Sequence, residues 1–88
     1  MLTLYTKNNC GYCLQAKAML KNNDIPYTEV NIEEDAEAIA FVVDEGHRTM
    51  PQIYQNDKLF VEGGFTGLRD LGVDAIKTRL GLVSLGSL

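Results

Sequence analysis

Both cysteines of this chain stand in one tetrapeptide, Cys10-Gly11-Tyr12-Cys13, directly behind the loop Lys7-Asn8-Asn9. Two thiols three positions apart serve either a metal or reversible sulfur exchange. A tetrahedral zinc site needs four ligands, and His47 is the single imidazole the chain can add, so no metal is expected. Sulfur exchange needs two unequal thiols, one that attacks and one that resolves. If a helix begins at Cys10, its unpaired N–H groups and dipole stabilise a thiolate there, while Cys13 sits one turn further in and more buried. Cys10 is then the nucleophile and Cys13 the resolving thiol. Lys7, three residues before Cys10, adds positive charge for the anion or for a carboxylate of an incoming thiol compound.

Magnitudes show which step such tuning favours. Lowering a thiol pKa from about 8.5 to about 6 raises the thiolate fraction at pH 7 roughly thirtyfold, but a Brønsted slope of about 0.5 takes back roughly eighteenfold in nucleophilicity. Attack gains little. Departure gains more, because a low-pKa thiolate leaves readily when a second thiol attacks a mixed disulfide.

The elements that must position these sulfurs follow from the pattern. "LTLYT" (2–6) alternates and reads as a strand, and "GYCLQAKAMLKNND" reads as a helix with Cys13, Ala16 and Leu20 on one side, Asn8 and Asn9 as caps, and Asn22 to Asp24 as its close. "IPYTEVNI" is a second strand with Pro26 at its start, so strand, helix and strand make a right-handed parallel crossover. "EEDAEAIAFVVDEG" predicts a helix whose apolar face is Ala36, Ile39, Ala40 and Val43, ended by Gly46, with its acids serving capping and solubility. "PQIYQNDKLFVEGG" predicts a hairpin turning at Asn56 and Asp57. "FTGLRDLGVDAIKTRL" predicts a helix capped by Thr66, with Leu68, Leu71, Ala75 and Leu80 on one face, broken at Gly72 and resumed behind Asp74. The fold class is therefore α/β, a four-stranded mixed sheet flanked by three or more helices.

A length of 88 residues fits one domain, 1–88, with the tail from about residue 82 expected to fray. Eight basic against twelve acidic residues give a net charge of -4, which argues against a nucleic-acid backbone or an anionic membrane as partner. No apolar run approaches the roughly 20 residues that span a bilayer, and "MLTLYTKNN" lacks the basic and apolar regions of a signal peptide. A cytoplasmic location is expected, where a purely structural disulfide is out of place.

Three segments, "YTKNNCGYC", "RTMPQIY" and "GGFTGL", in this order and on these elements, resemble the active-site segments of glutaredoxins, over nearly all of the chain up to about its last eight residues. The resemblance implies a thioredoxin fold and thiol-disulfide exchange with glutathione as co-substrate. It implies that Pro51 is a cis-proline opposite the dithiol and that Lys7, Tyr12, Thr49, Met50, Pro51, Gly64, Phe65 and Thr66 form the glutathione groove. Lys7 would meet the glycine carboxylate, Tyr12 would flank the sulfur, the Met50 backbone would pair with the cysteinyl unit, and the N–H groups around Gly64, Phe65 and Thr66 would hold the γ-glutamyl carboxylate. The implied partners are glutathione and disulfide-containing or glutathionylated proteins, with ribonucleotide reductase among the acceptors, and a monomer is expected. Two letters depart from the family: Gly11 stands where proline is usual, and Thr66 where many members have aspartate. "GHRTMP" also resembles glutaredoxin-like redoxins that take electrons from thioredoxin reductase, an alternative reductant. A second alternative is a carrier of a bridged iron-sulfur cluster ligated by Cys10 and glutathione from two subunits.

Overall fold

A computed structural model describes residues 1–82, so the expected fraying of the tail lies outside the described residues. The elements run β1 (Leu2–Thr6), α1 (Gly11–Asn22), β2 (Tyr27–Asn31), α2 (Ala36–Asp44), β3 (Gln52–Gln55), β4 (Lys58–Val61), α3 (Gly64–Leu71) and α4 (Val73–Arg79). The sheet order is β2-β1-β3-β4: β2 runs parallel to β1, while β3 pairs antiparallel with β1 and with β4. This is the mixed four-stranded sheet that a crossover followed by a hairpin dictates.

The alternation of β1 sends its residues to two layers. Leu2 and Leu4 point to one face, where they are buried with Ala16 and Leu20 of α1, Ile53, Phe60, Leu68 of α3 and Ile76 of α4. Tyr5 points to the other, against Phe41 of α2 (5.4 Å between ring centroids) and Tyr54 of β3 (5.7 Å). Two polar ties fix the edges. Thr6 donates to Glu29 on the edge strand at 2.8 Å, and Lys17 of α1 meets the same carboxylate at 3.2 Å. Partial burial alone would raise the Glu29 carboxyl, but the Thr6 hydroxyl and the Lys17 ammonium hold it below its ordinary range. At the other edge Arg79 donates to the Phe60 carbonyl at 2.8 Å and lies over the Phe60 ring.

The sequence reading of the caps and of the α2 face is corrected at several positions. Neither Asn8 nor Asn9 caps α1: Asn9 is in the left-handed region (φ 53°), and Cys10 itself is the N-cap. Thr66 does not cap α3; Gly63 holds that place, and the Thr66 hydroxyl donates to the Gly63 carbonyl at 2.8 Å. Asp74 does not cap α4, whose N-cap is Gly72, and Ile76 rather than Ala75 is the buried residue there. The largest correction concerns α2. Its buried residues are Ala38 and Val42, whereas Ile39 and Val43 are 43% and 65% exposed. The helix carries apolar side chains on both sides, and the phase is set by Phe41, which meets Tyr54 at 5.1 Å as well as Tyr5.

Gly67 is held by a contact that the local pattern does not reveal. A side-chain carbon there would collide with the Glu62 carbonyl oxygen, whereas one at Gly11 would meet nothing within 4 Å. Gly67→Ala should therefore cost about 1–3 kcal/mol through backbone displacement. Gly11→Ala should be neutral or add about 0.4–1 kcal/mol. Urea unfolding of both variants checks the contrast.

Candidate functional site

The chain leaves β1 at Thr6, passes through Lys7, Asn8 and Asn9, and enters α1 at Cys10, so the sulfur sits above the end of the central strand. The Cys10 Sγ accepts the Cys13 backbone N–H at 3.1 Å, the bond an N-cap oxygen ordinarily makes. Cys10 and Cys13 form a disulfide, with Cα atoms 5.2 Å apart. Cys10 keeps 9% of its surface and Cys13 2%, so the first sulfur is the one a partner reaches. Once the bond is reduced, the Cys13 N–H and the α1 dipole favour a thiolate at Cys10. The Met50 carbonyl oxygen, 3.6 Å from the Cys10 sulfur, acts the other way, since it accepts an S–H but repels an anion.

Beside the sulfurs lies a groove of about 210 Å³ lined by Tyr12, Thr49, Met50, Pro51, Gly63, Gly64, Phe65 and Thr66. Seven of the eight positions singled out from the sequence thus line one groove, and Lys7 is not among the residues that line it. The groove has three walls. Tyr12, from the first turn of α1, stacks on Phe65 of α3 with centroids 6.2 Å apart. The Met50-Pro51 peptide bond is cis and lies directly before β3. Gly64 opens α3 at φ 58°, and a side-chain carbon there would lie 2.8 Å from the Pro51 carbonyl oxygen. Only glycine lets the start of α3 press this closely on the proline segment.

Sequence reasoning missed Gly63, which lines the groove, and Gln52, which supports it. Gln52 is buried, and its Nε2 donates to the Thr49 carbonyl at 2.8 Å, bracing the backbone on both sides of Met50-Pro51. The signal the sequence offers for Gln52 is an amide directly after Pro51 at the head of a strand. His47 is a loop residue with a structural bond: Tyr54 donates to Glu45 at 3.2 Å, and the His47 Nε2 lies 2.7 Å from the same phenol oxygen. This network anchors the stretch that runs from α2 to Met50. Among the described residues, no group of three or more His, Cys, Asp or Glu is placed to hold a metal ion.

A parallel-crossover and hairpin sheet with a Cys-x-x-Cys at the start of its first helix and a cis-proline beside the outer sulfur defines a thioredoxin-fold thiol-disulfide oxidoreductase. The glutaredoxin family model matches residues 2–60, and the chain belongs to that family. It is 38% identical over 60 residues to the glutaredoxin-like protein NrdH of Lactococcus lactis subsp. cremoris (strain MG1363), covering 68% of this chain and 83% of that protein. It is 40% identical over 81 residues, 90% of this chain and 88% of the other, to MT3292 of Mycobacterium tuberculosis (strain CDC 1551 / Oshkosh), which carries a provisional glutaredoxin name. Among solved structures it resembles the NrdH-redoxin of Escherichia coli, a glutaredoxin-like protein with a thioredoxin-like activity profile (TM-score 0.64, 26% identity, 73% of this chain and 82% of that one).

Two measurements test this site. In the reduced protein Cys10 should be alkylated before Cys13, as followed by mass spectrometry after iodoacetamide pulses. Burial, followed by the charge of Glu45 and its hydrogen bond, pushes the Tyr54 phenol up to about 12. A raised phenol pKa means that the unfolded chain ionises first, so stability held below pH 10 should be lost as pH rises from about 10 towards about 12. That loss should be smaller in Tyr54→Phe, as read by urea unfolding at each pH.

Proposed function

We propose that the chain reduces disulfides in other proteins through the Cys10/Cys13 dithiol and is itself re-reduced by a protein dithiol of the thioredoxin-reductase kind. Thiolate Cys10 attacks the substrate disulfide, one substrate sulfur leaves as a thiolate, and Cys13 displaces the other from the mixed disulfide. The products are a dithiol substrate and the Cys10–Cys13 disulfide, which two electrons and two protons return to the starting state.

One observation carries the choice of reductant: the described residues that line the groove bear no charged side chain. Glutathione brings two carboxylates and an ammonium, and fixing such groups ordinarily takes charge-assisted hydrogen bonds. Here Lys7 is outside the lining, and the Thr66 hydroxyl is directed to the Gly63 carbonyl rather than left for an amino group. The likeness to NrdH proteins, one of them with a thioredoxin-like activity profile, points the same way. Ribonucleotide reductase is an acceptor consistent with this reading, and a reducing compartment such as the cytoplasm is where it would operate.

Glutathione as reductant is the second reading. It is favoured by the shared groove of Tyr12, Thr49, Met50, Pro51, Gly64, Phe65 and Thr66 beside Cys10, and by backbone N–H groups at the start of α3 that suit a carboxylate.

A side-by-side assay separates the two. Turnover of a protein disulfide with NADPH and thioredoxin reductase should exceed turnover with NADPH, glutathione and glutathione reductase by at least about tenfold; a reversed order overturns the first reading. Cys10→Ser should abolish both activities. Cys13→Ser should abolish turnover by the protein reductant and leave a glutathione-resolved fraction on glutathione mixed disulfides.

A further inference from the structure

The outward face of α2 is unaccounted for by the site above. Ala36, Ile39, Ala40 and Val43 recur at helical spacing on the solvent side, and Ile39 and Val43 are among the few large apolar side chains that the described chain leaves exposed. A stripe of this kind on a helix that already buries its other face against the protein is the pattern of a helix with a second contact to make.

Its electrostatic surroundings indicate what that contact is. From Glu33 to Glu45 the chain places six of its twelve acidic residues and no lysine or arginine. Three of them are engaged: Glu33 accepts the Asn8 N–H, Asp35 caps α2, and Glu45 accepts from Tyr54. Glu34, Glu37 and Asp44 have no hydrogen bond or ion pair through their side chains among the described residues. Glu37 and Asp44, seven positions apart, lie one above the other along a border of the apolar stripe. A second copy of this chain is a poor occupant, because two such faces would bring unpaired carboxylates together and the chain already carries a charge of -4.

We propose that the outward face of α2 is a docking surface for proteins that present an apolar side chain flanked by lysine or arginine. Its place in the fold links docking to the sulfurs. Val42, on the inner side of the same helix, shares one buried cluster with Cys10, Cys13 and Met50. A partner seated outside is therefore separated from that buried cluster by the thickness of one helix, roughly 10 Å. The face of a nine-residue helix, about 13 Å long and about 10 Å wide, covers on the order of 130 Å², well short of the roughly 800 Å² per partner that a stable complex buries, so docking is brief and charge-steered, as turnover requires. That this partner is a disulfide substrate rests on the redox function proposed above; that it is basic and apolar does not.

The test uses the full chain and two synthetic peptides that share a leucine-bearing arm and a disulfide loop and differ only in whether lysine or glutamate flanks the leucine. Binding is read first, with the loop cysteines replaced by serine, from amide chemical shifts of the oxidised protein. The lysine peptide should shift α2 resonances, the glutamate peptide should not, and raising salt from 20 to 500 mM should weaken the effect about tenfold. Exchange is read second, with the chain pre-reduced by dithiothreitol. The disulfide-bearing lysine peptide should react about tenfold faster than its glutamate counterpart at low salt. Ile39→Ser with Val43→Ser, and separately Glu37→Gln with Asp44→Asn, should remove most of that advantage while leaving reaction with hydroxyethyl disulfide unchanged. Absence of α2 shifts, equal binding of the two peptides, or α2 shifts that instead follow the concentration of the chain alone would overturn the docking proposal. Selective α2 binding without any disulfide exchange would leave docking standing and sink the redox reading.

Discussion

The Cys10 sulfur takes the position that a serine or aspartate oxygen holds at most helix starts, and the site is built around that substitution. As N-cap it accepts the Cys13 N–H, so the atom that reacts is also the atom that terminates α1. The location of the helix start and the reactivity of the sulfur are then a single constraint. Moving the start by one residue would take the thiolate away from the unpaired N–H groups and the positive end of the dipole, and would turn Cys13 out of the interior. Lys7, Asn8 and Asn9 are the short link that keeps this helix end over the end of β1, with Asn9 in the left-handed region to make the turn.

Apart from Tyr12 and Cys13 in the first turn of α1, the rest of the site is brought to that sulfur from distant parts of the chain. Pro51 arrives because β3 pairs antiparallel with β1, and Gln52, buried at its start, braces Thr49. The α3 helix arrives because the hairpin ends in Gly63 and Gly64, and Gly64 lacks the carbon that would strike the Pro51 carbonyl. The stretch between α2 and Met50 is anchored by the Glu45, Tyr54 and His47 network. Three backbone segments thus form a groove whose lining residues bear no charged side chain.

Much of this was legible before any coordinates. The alternation of residues 2–6, the switch to helical spacing at Gly11, the turn at Asn56 and Asp57 and the break at Gly72 are local signals, and each lies within a few residues of an observed boundary or turn. The α2 phase was not legible, because a helix with apolar residues on both sides has two candidate inner faces. Which one turned inward was decided by Phe41 packing on Tyr5 and Tyr54, partners 36 and 13 positions away. The roles of Thr66 and Asp74 were misread for a related reason: a glycine with positive φ supplied each helix start, and the side-chain oxygen was free for other uses.

By itself the sequence determined the chemistry and the order of elements: two thiols one helical turn apart, a strand to present them, a proline and a glycine pair further along. These follow from covalent spacing and local backbone preference, which do not depend on where the rest of the chain goes. Only the tertiary structure decided that Lys7 stays out of the groove's lining, that Gly63 lines it and Gln52 supports it, and that α2 turns its aliphatic stripe to solvent. Those outcomes depend on contacts between residues far apart in the chain, where packing of aromatic rings and close backbone approach outweigh any local preference.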